Sequence, residues 1–284
     1  MMATEAGMDD DDRAVARAPI RIGAQGWNYD AWLGGFYPSG TRATDFLSVY
    51  ARAFDTVEVD STFYAIPPAT TIEGWVKRTP PGFVFTLKLP QSITHERRLR
   101  ASEEETALFI ARARGLGPKL GPILMQMGPD FGIAEYPALV AYLATWPRDV
   151  PVAIEFRRRE WITPDVHAML AEHGVSLALS EGPWIPRDIL LKLAERPTAP
   201  FHYIRWMGPD RAITDHSHVQ VDRSREIEEW ALVMKRAADA GRAVYAYSSN
   251  YYAGHAPQTA RDAQAAVGQH PVAPDTLGTQ MSLF

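Results

Sequence analysis

Thr56-Val57-Glu58-Val59-Asp60 is a β-branched run with an acid at every second position, and it passes through Ser61-Thr62-Phe63-Tyr64 into an amphipathic stretch at 72–78. A strand with apolar side chains on one face and charge on the other, followed by a helix, is one βα unit. The same rhythm runs along the chain. Strands are expected at 20–25, 56–60, 83–89, 122–127, 152–156, 175–179, 202–207 and 243–248. Helices are expected at 44–53, 72–78, 103–114, 136–145, 164–173, 187–194, 223–240 and 257–267. Eight such units in one body predict an α/β fold, a single (β/α)8 TIM-like barrel over 19–268. An open doubly wound sheet would ordinarily carry a Gly-rich dinucleotide turn after its first strand. Here Gly23-Ala24-Gln25-Gly26 leads instead into Trp27 and Asn28.

Composition fits one large globular unit: 284 residues, 46% hydrophobic and 22% charged. Of the net charge of −5, the stretch 1–18 carries −3, because Glu5 and Asp9 to Asp12 face only Arg13 and Arg17. That stretch is expected to be a disordered acidic arm. The body keeps about −2, too little positive charge to coat nucleic acid by counterion release. The absence of cysteine excludes disulfides, thiolate metal sites and a cysteine nucleophile. No apolar run approaches a membrane span and no basic-then-apolar leader is present, so a cytoplasmic location is expected. Residues 269–278, with two prolines and a glycine, read as the start of a flexible, extended tail over 269–284.

In a βα barrel the loops after the strands form the active face. Polar residues gather at that end of several predicted strands. Glu58 and Asp60 share a face of the second, Lys88 ends the third, Gln126 the fourth, and Glu155 with Arg157 the fifth. Arg205 lies on the seventh, and Asn250 follows the eighth. His95 comes after the third strand among several arginines. Buried charges need partners, so a structural ion-pair lattice is one reading and a polar pocket the other. In the pocket reading Glu58, Asp60 and Glu155 act as base or cation ligands and His95 transfers a proton. Lys88, Arg157 and Arg205 hold phosphate, with Gln126 and Asn250 as further polar contacts, while Trp27 and Tyr64 stack on a ring. A divalent cation fits the carboxylates, but the eight histidines are scattered and no zinc site is indicated. No Gly-x-Ser-x-Gly elbow occurs.

Along the chain run Gly26-Trp27-x-Tyr29-x-x-Trp32 with Phe36-Tyr37-Pro38, Val57-Glu58-Val59-Asp60-Ser61-Thr62-Phe63-Tyr64, Phe83-x-Phe85-x-x-Lys88 with Ile93-Thr94-His95, Leu120-Gly121-Pro122-Ile123-Leu124-x-Gln126, and Glu155-Phe156-Arg157 with Trp161. On these motifs the chain resembles the family known as domain of unknown function 72, also called YecE-like. The resemblance implies a TIM-like barrel without fixing a reaction. The family has been likened to endonuclease IV barrels, whose cluster of zinc ligands this sequence lacks, so that mechanism does not carry over. The chain also departs from the family pattern at Asp60, at Trp206-Met207 and at Ser249-Asn250.

The last residues, Gln280-Met281-Ser282-Leu283-Phe284, resemble the peptide by which replication and repair proteins dock on the bacterial sliding clamp. Gln280 would hydrogen-bond at one subsite while Met281, Leu283 and Phe284 bury apolar surface in a groove. The leading expectation is a DNA-repair-type phosphodiester or lesion-processing enzyme, a hydrolase or lyase recruited through this peptide, with tethering compensating for weak electrostatics. The alternatives are an enzyme acting on a small anionic, phosphorylated or sugar-like metabolite, and a non-catalytic clamp-binding adaptor.

Overall fold

The computed structural model describes residues 17–278. Residues 1–16 of the arm expected at 1–18, and the peptide Gln280, Met281, Leu283 and Phe284, lie outside the described residues. Among the described residues, nine strands form two all-parallel sheets. One has the order β1 (Ile20–Ala24), β9 (Ala243–Ser248), β8 (Phe201–Trp206), β7 (Leu179–Glu181). The other runs β2 (Thr56–Val59), β3 (Val84–Lys88), β4 (Leu120–Gln126), β5 (Val152–Glu155), β6 (Ser176–Leu177). The connecting helices are α1 (Phe46–Ala53), α2 (Ala69–Lys77), α3 (Glu103–Arg114), α4 (Tyr136–Thr145), α5 (Pro164–His173), α6 (Arg187–Ala194) and α7 (Ser224–Asp239). The short α8 (Asn250–Ala253) and α9 (Ala256–Ala266) follow β9.

The sixth expected strand is broken. β6 pairs with β5, β7 pairs with β8, and Ala178 between them donates its N–H to Ile154 O at 2.8 Å. The strand also continues to Glu181 rather than ending at Leu179, a length its single short apolar run conceals. At the other seam, Gln25 forms a parallel bridge with Glu58, and Gly26 N–H donates to Glu58 O at 2.7 Å.

Both faces of β2, β3, β5 and β8 are buried, so the charged residues they carry, Glu58, Lys88, Glu155 and Arg205, are buried with them. A large apolar cluster fills the layer between strands and helices, including Ile22, Trp32, Ile123, Ile154, Ile204 and Trp230. A smaller one, built from Leu124, Ala153, Ala178, Phe201, Tyr203 and Tyr247, lies between the facing sheets. There Tyr247 OH meets Thr56 Oγ1 at 2.8 Å, and Tyr203 OH lies 3.1 Å from Thr86 Oγ1.

The described part of the expected tail, 269–278, docks on the body instead of standing free. Gln269 Nε2 donates to Ile20 O at 2.7 Å, and Leu277 is buried. Apolar burial at Leu277 outweighs the extended tendency of the flanking prolines. Gly278, the last described residue, reaches Pro38 in the connection between β1 and α1.

Gly23 sets the approach of β1 to β2. A Cβ there would sit 2.2 Å from the main-chain oxygen of Thr56 and 2.7 Å from Tyr50 Oη. Main chain cannot swing aside as a side chain can, so Gly23→Ala is expected to lower stability by about 2 kcal/mol or more. A denaturant midpoint equal to that of the parent would show that this seam tolerates opening.

Candidate active site

At the loop end of the strands, Arg205 joins the two sheets. Its guanidinium donates from Nε to Glu58 Oε2 at 2.9 Å and from Nη2 to Glu58 Oε1 at 2.6 Å, while Nη1 pairs with Glu155 Oε2. Arg205, Glu58 and Glu155 are fully buried. The remaining lone pairs are engaged: Tyr203 OH donates to Glu58 Oε2 at 2.7 Å, and Ser180 Oγ to Glu155 Oε2 at 2.6 Å. Glu155 Oε1 accepts from Gln126 Nε2 at 2.9 Å and from Arg157 Nε at 3.1 Å. Burial at this depth is sustainable because each charge has a countercharge and hydrogen bonds.

The two carboxyls are pushed in opposite directions. Burial raises Glu58 above its ordinary value against the pull of Arg205, with Asp60 adding like charge. Burial also acts on Glu155, but Arg205 and Arg157 together with the Ser180 hydrogen bond overcome it and bring the group down to about 2.

Above this network lies a more open set. Lys88 Nζ pairs with Asp60 Oδ1 at 3.2 Å and stands 4.4 Å from the Phe63 ring centroid. Asp60 opens a 3-10 turn, Asp60–Phe63, held against β3 by Thr62, whose Oγ1 donates to Lys88 O at 2.8 Å. His95 comes from a π-helical turn, Ser92–Glu96; its Nδ1 lies 2.9 Å from Thr94 Oγ1, and its ring meets Phe63 edge-on at 5.0 Å. Partial burial and the nearby charges of Arg157 and Lys88 hold His95 below its ordinary value. The chain beyond that turn is strained, with left-handed φ at Arg98, Leu99 and Ala101, none of them glycine.

Among the described residues, Nε2 of His95 and both terminal nitrogens of Arg157 have no hydrogen-bond partner. Trp184 packs its ring 5.7 Å from the Arg157 guanidinium and is partly exposed, and Tyr64 stands beside Phe63 with 73% exposure. No group of three or more His, Asp or Glu side chains among the described residues is placed to hold a metal ion. Arg205 stands between the two carboxylates where a cation would otherwise sit.

Nine of the residues singled out from sequence therefore converge: Glu58, Asp60, Tyr64, Lys88, His95, Gln126, Glu155, Arg157 and Arg205. Two do not. Trp27 turns its ring to the helix layer, half-buried and edge-on to Trp75 at 5.6 Å and Phe85 at 6.4 Å, where removal of its apolar surface from water is favourable. Asn250 is buried, with Oδ1 accepting from Trp32 Nε1 and from the Ala256 N–H at the start of α9, each at 3.0 Å. It caps a helix and anchors an indole rather than facing a ligand. Tyr203, Ser180 and Trp184 escaped the sequence reading. Tyr203 was available from period 2 with Arg205, whereas Ser180 fell beyond the expected end of its strand.

Two outcomes follow from this geometry. Arg205→Met, which strands two buried carboxyls, is expected to cost about 3–5 kcal/mol in chemical denaturation; a loss within error would deny the pairing its role. Because Glu155 sits below its ordinary 4.5, its share of stability is complete above that pH and is lost as pH falls toward 2. Carbon-13 titration of the carboxyls should find Glu155 titrating low and Glu58 above 4.5.

The relationships of the chain agree with this architecture. It is 36% identical over 177 residues to the UPF0759 protein YunF of Bacillus subtilis (strain 168), a match covering 58% of each chain. It is 26% identical over 221 residues to the UPF0759 protein YecE of Escherichia coli (strain K12), covering 71% of this chain and 79% of that one. Among solved structures, a DUF72 family protein from Thermotoga maritima MSB8 superposes with TM-score 0.72 at 22% identity, over 87% of this chain and 98% of that one. One from Enterococcus faecalis V583 gives 0.69 at 22% identity, over 90% and 100%. At such identity the likeness speaks for the fold. The family described as "Protein of unknown function DUF72" matches residues 21–281, and the chain belongs to it.

Proposed function

We propose that the two sheets work as one (β/α)8 barrel whose loop-side mouth binds a phosphate ester of nucleic acid. In this reading the chain is a DNA-repair-type phosphodiester or lesion-processing enzyme brought to DNA by its clamp-binding peptide. The observation carrying the reading is the set of uncommitted donors at the mouth. Arg157 is fixed through Nε alone, which leaves its two terminal nitrogens free for bidentate contact with phosphate. Lys88 adds a second cation beside Asp60.

His95, held below its ordinary value, is neutral near pH 7 and so can accept a proton from attacking water through Nε2. Asp60, partly exposed and close to Lys88, is the carboxylate best placed to assist. Glu58 and Glu155, saturated by their partners, serve by holding Arg205 and Arg157 in place. The strained turn after His95 and the exposed rings of Tyr64 and Trp184 support a ligand site here. Gly278, the last described residue, lies against the β1–α1 connection, on the loop side that carries the mouth. The body charge of about −2 favours one second reading, in which the same mouth takes a small phosphorylated metabolite.

Calorimetric titration with abasic DNA, mononucleotides and sugar phosphates separates these readings. Arg157→Gln is expected to weaken binding of the preferred phosphate ligand about tenfold or more. Binding should also tighten as pH falls, because a bound anion raises the His95 pKa. Removal of residues 280–284 should abolish capture by an immobilised sliding clamp and leave ligand affinity unchanged. Affinity indifferent to Arg157→Gln would remove the mouth from the account, and undiminished capture would remove the peptide.

A further inference from the structure

The ring of His95 is held on three sides. Its Nδ1 lies 2.9 Å from Thr94 Oγ1, and Phe63 meets it edge-on at 5.0 Å. On the remaining edge runs the main chain just after β4: a Cβ at Gly128 would stand 3.1 Å from His95 Cδ2 and 3.6 Å from Nε2. Glycine at that position lets the chain pass beside the imidazole without displacing it. His95 itself is partly exposed, whereas Thr94 is completely buried. The threonine hydroxyl is therefore out of reach of solvent and must satisfy itself with its protein neighbours.

Those neighbours are of two kinds. Pro90 O, 3.1 Å from Thr94 Oγ1, can only accept, so it receives the hydroxyl proton. A threonine in a helical turn commonly bonds back in this way to the carbonyl four residues earlier, here from the π-helical turn Ser92–Glu96. What Thr94 then offers the ring is a lone pair, and the contact with Nδ1 is a hydrogen bond only if Nδ1 carries the proton. Burial and the charges of Arg157 and Lys88 keep the ring neutral near pH 7, so a proton on Nδ1 leaves none on Nε2. An unconstrained neutral histidine favours the opposite form, with the proton on Nε2; which nitrogen bears it in a protein is set by the hydrogen bond the other ring atom makes.

We propose that Thr94 is a positioning residue that sets the tautomer of His95, with Nδ1 protonated and Nε2 a bare acceptor. Pro90 O orients the hydroxyl, the hydroxyl holds the Nδ1 proton, and Nε2 keeps its lone pair for a proton donor. When Nε2 takes up a proton, the Nδ1–H bond to Thr94 is retained, so the ring need not turn to accommodate the charge. That Nε2 serves as a base toward a ligand rests on the phosphate-ester reading of the mouth, whereas the tautomer does not.

The test is nitrogen-15 NMR of the labelled full chain at neutral pH without ligand, the His95 signals being identified by their loss in His95→Gln. A protonated and a bare ring nitrogen resonate far apart, so long-range proton–nitrogen correlation reads the tautomer directly. The parent should show Nδ1 at the protonated position and Nε2 at the bare one. Thr94→Val, close in shape but without the hydroxyl, should shift the proton toward Nε2, and Thr94→Ser should restore the parent pattern. A parent spectrum with the proton on Nε2 overturns the proposal without any variant, as does a parent pattern that persists in Thr94→Val. Because these spectra involve no ligand, they stand or fall separately from phosphate binding at the mouth.

Discussion

The contact on which the structure turns is the guanidinium of Arg205 held between Glu58 and Glu155. Arg205 belongs to one sheet and both carboxylates to the other, so the three side chains close the space between the sheets at the loop end. Their burial is tolerable only as a set. Removing Arg205 leaves Glu58 buried without water and without its countercharge, a far larger loss than that of an exposed ion pair. Tyr203, Ser180 and Gln126 complete the hydrogen bonding, so the geometry is rigid rather than merely neutralised.

That rigidity has a consequence at the mouth. Glu155 spends one oxygen on Arg205 and shares the other with Arg157, and Arg157 is thereby aimed with its terminal nitrogens uncommitted. Lys88 is anchored differently, through Asp60 and the Phe63 face. The result is a layered arrangement in which a saturated ion-pair lattice below supports cations available for a ligand above. Lattice and pocket, two competing readings of the same sequence pattern, occupy successive levels of one site.

Much of this was legible in the residues. The alternation of Glu58 with Asp60 and of Glu155 with Arg157 follows from strand period, and eight βα rhythms place those charges at one end. Other features were hidden for physical reasons. Whether a carboxylate faces solvent or a guanidinium depends on contacts between Arg205 and Glu58, 147 positions apart, which no local pattern encodes. Trp27 and Asn250 stand where ligand contacts were expected, but tertiary packing against Trp75 and the start of α9 claimed them. The split of the sixth strand at Ala178 reflects pairing to two different sheets, invisible in a five-residue apolar run.

The central claim is that the donors left open above the Arg205 lattice receive phosphate. The most direct measurement is a crystal structure of the chain soaked with a short abasic oligonucleotide. A phosphate oxygen within hydrogen-bonding distance of the Arg157 terminal nitrogens and of His95 Nε2 is the predicted result. An oligonucleotide bound elsewhere on the surface, with Arg157 and His95 still unoccupied, would contradict it.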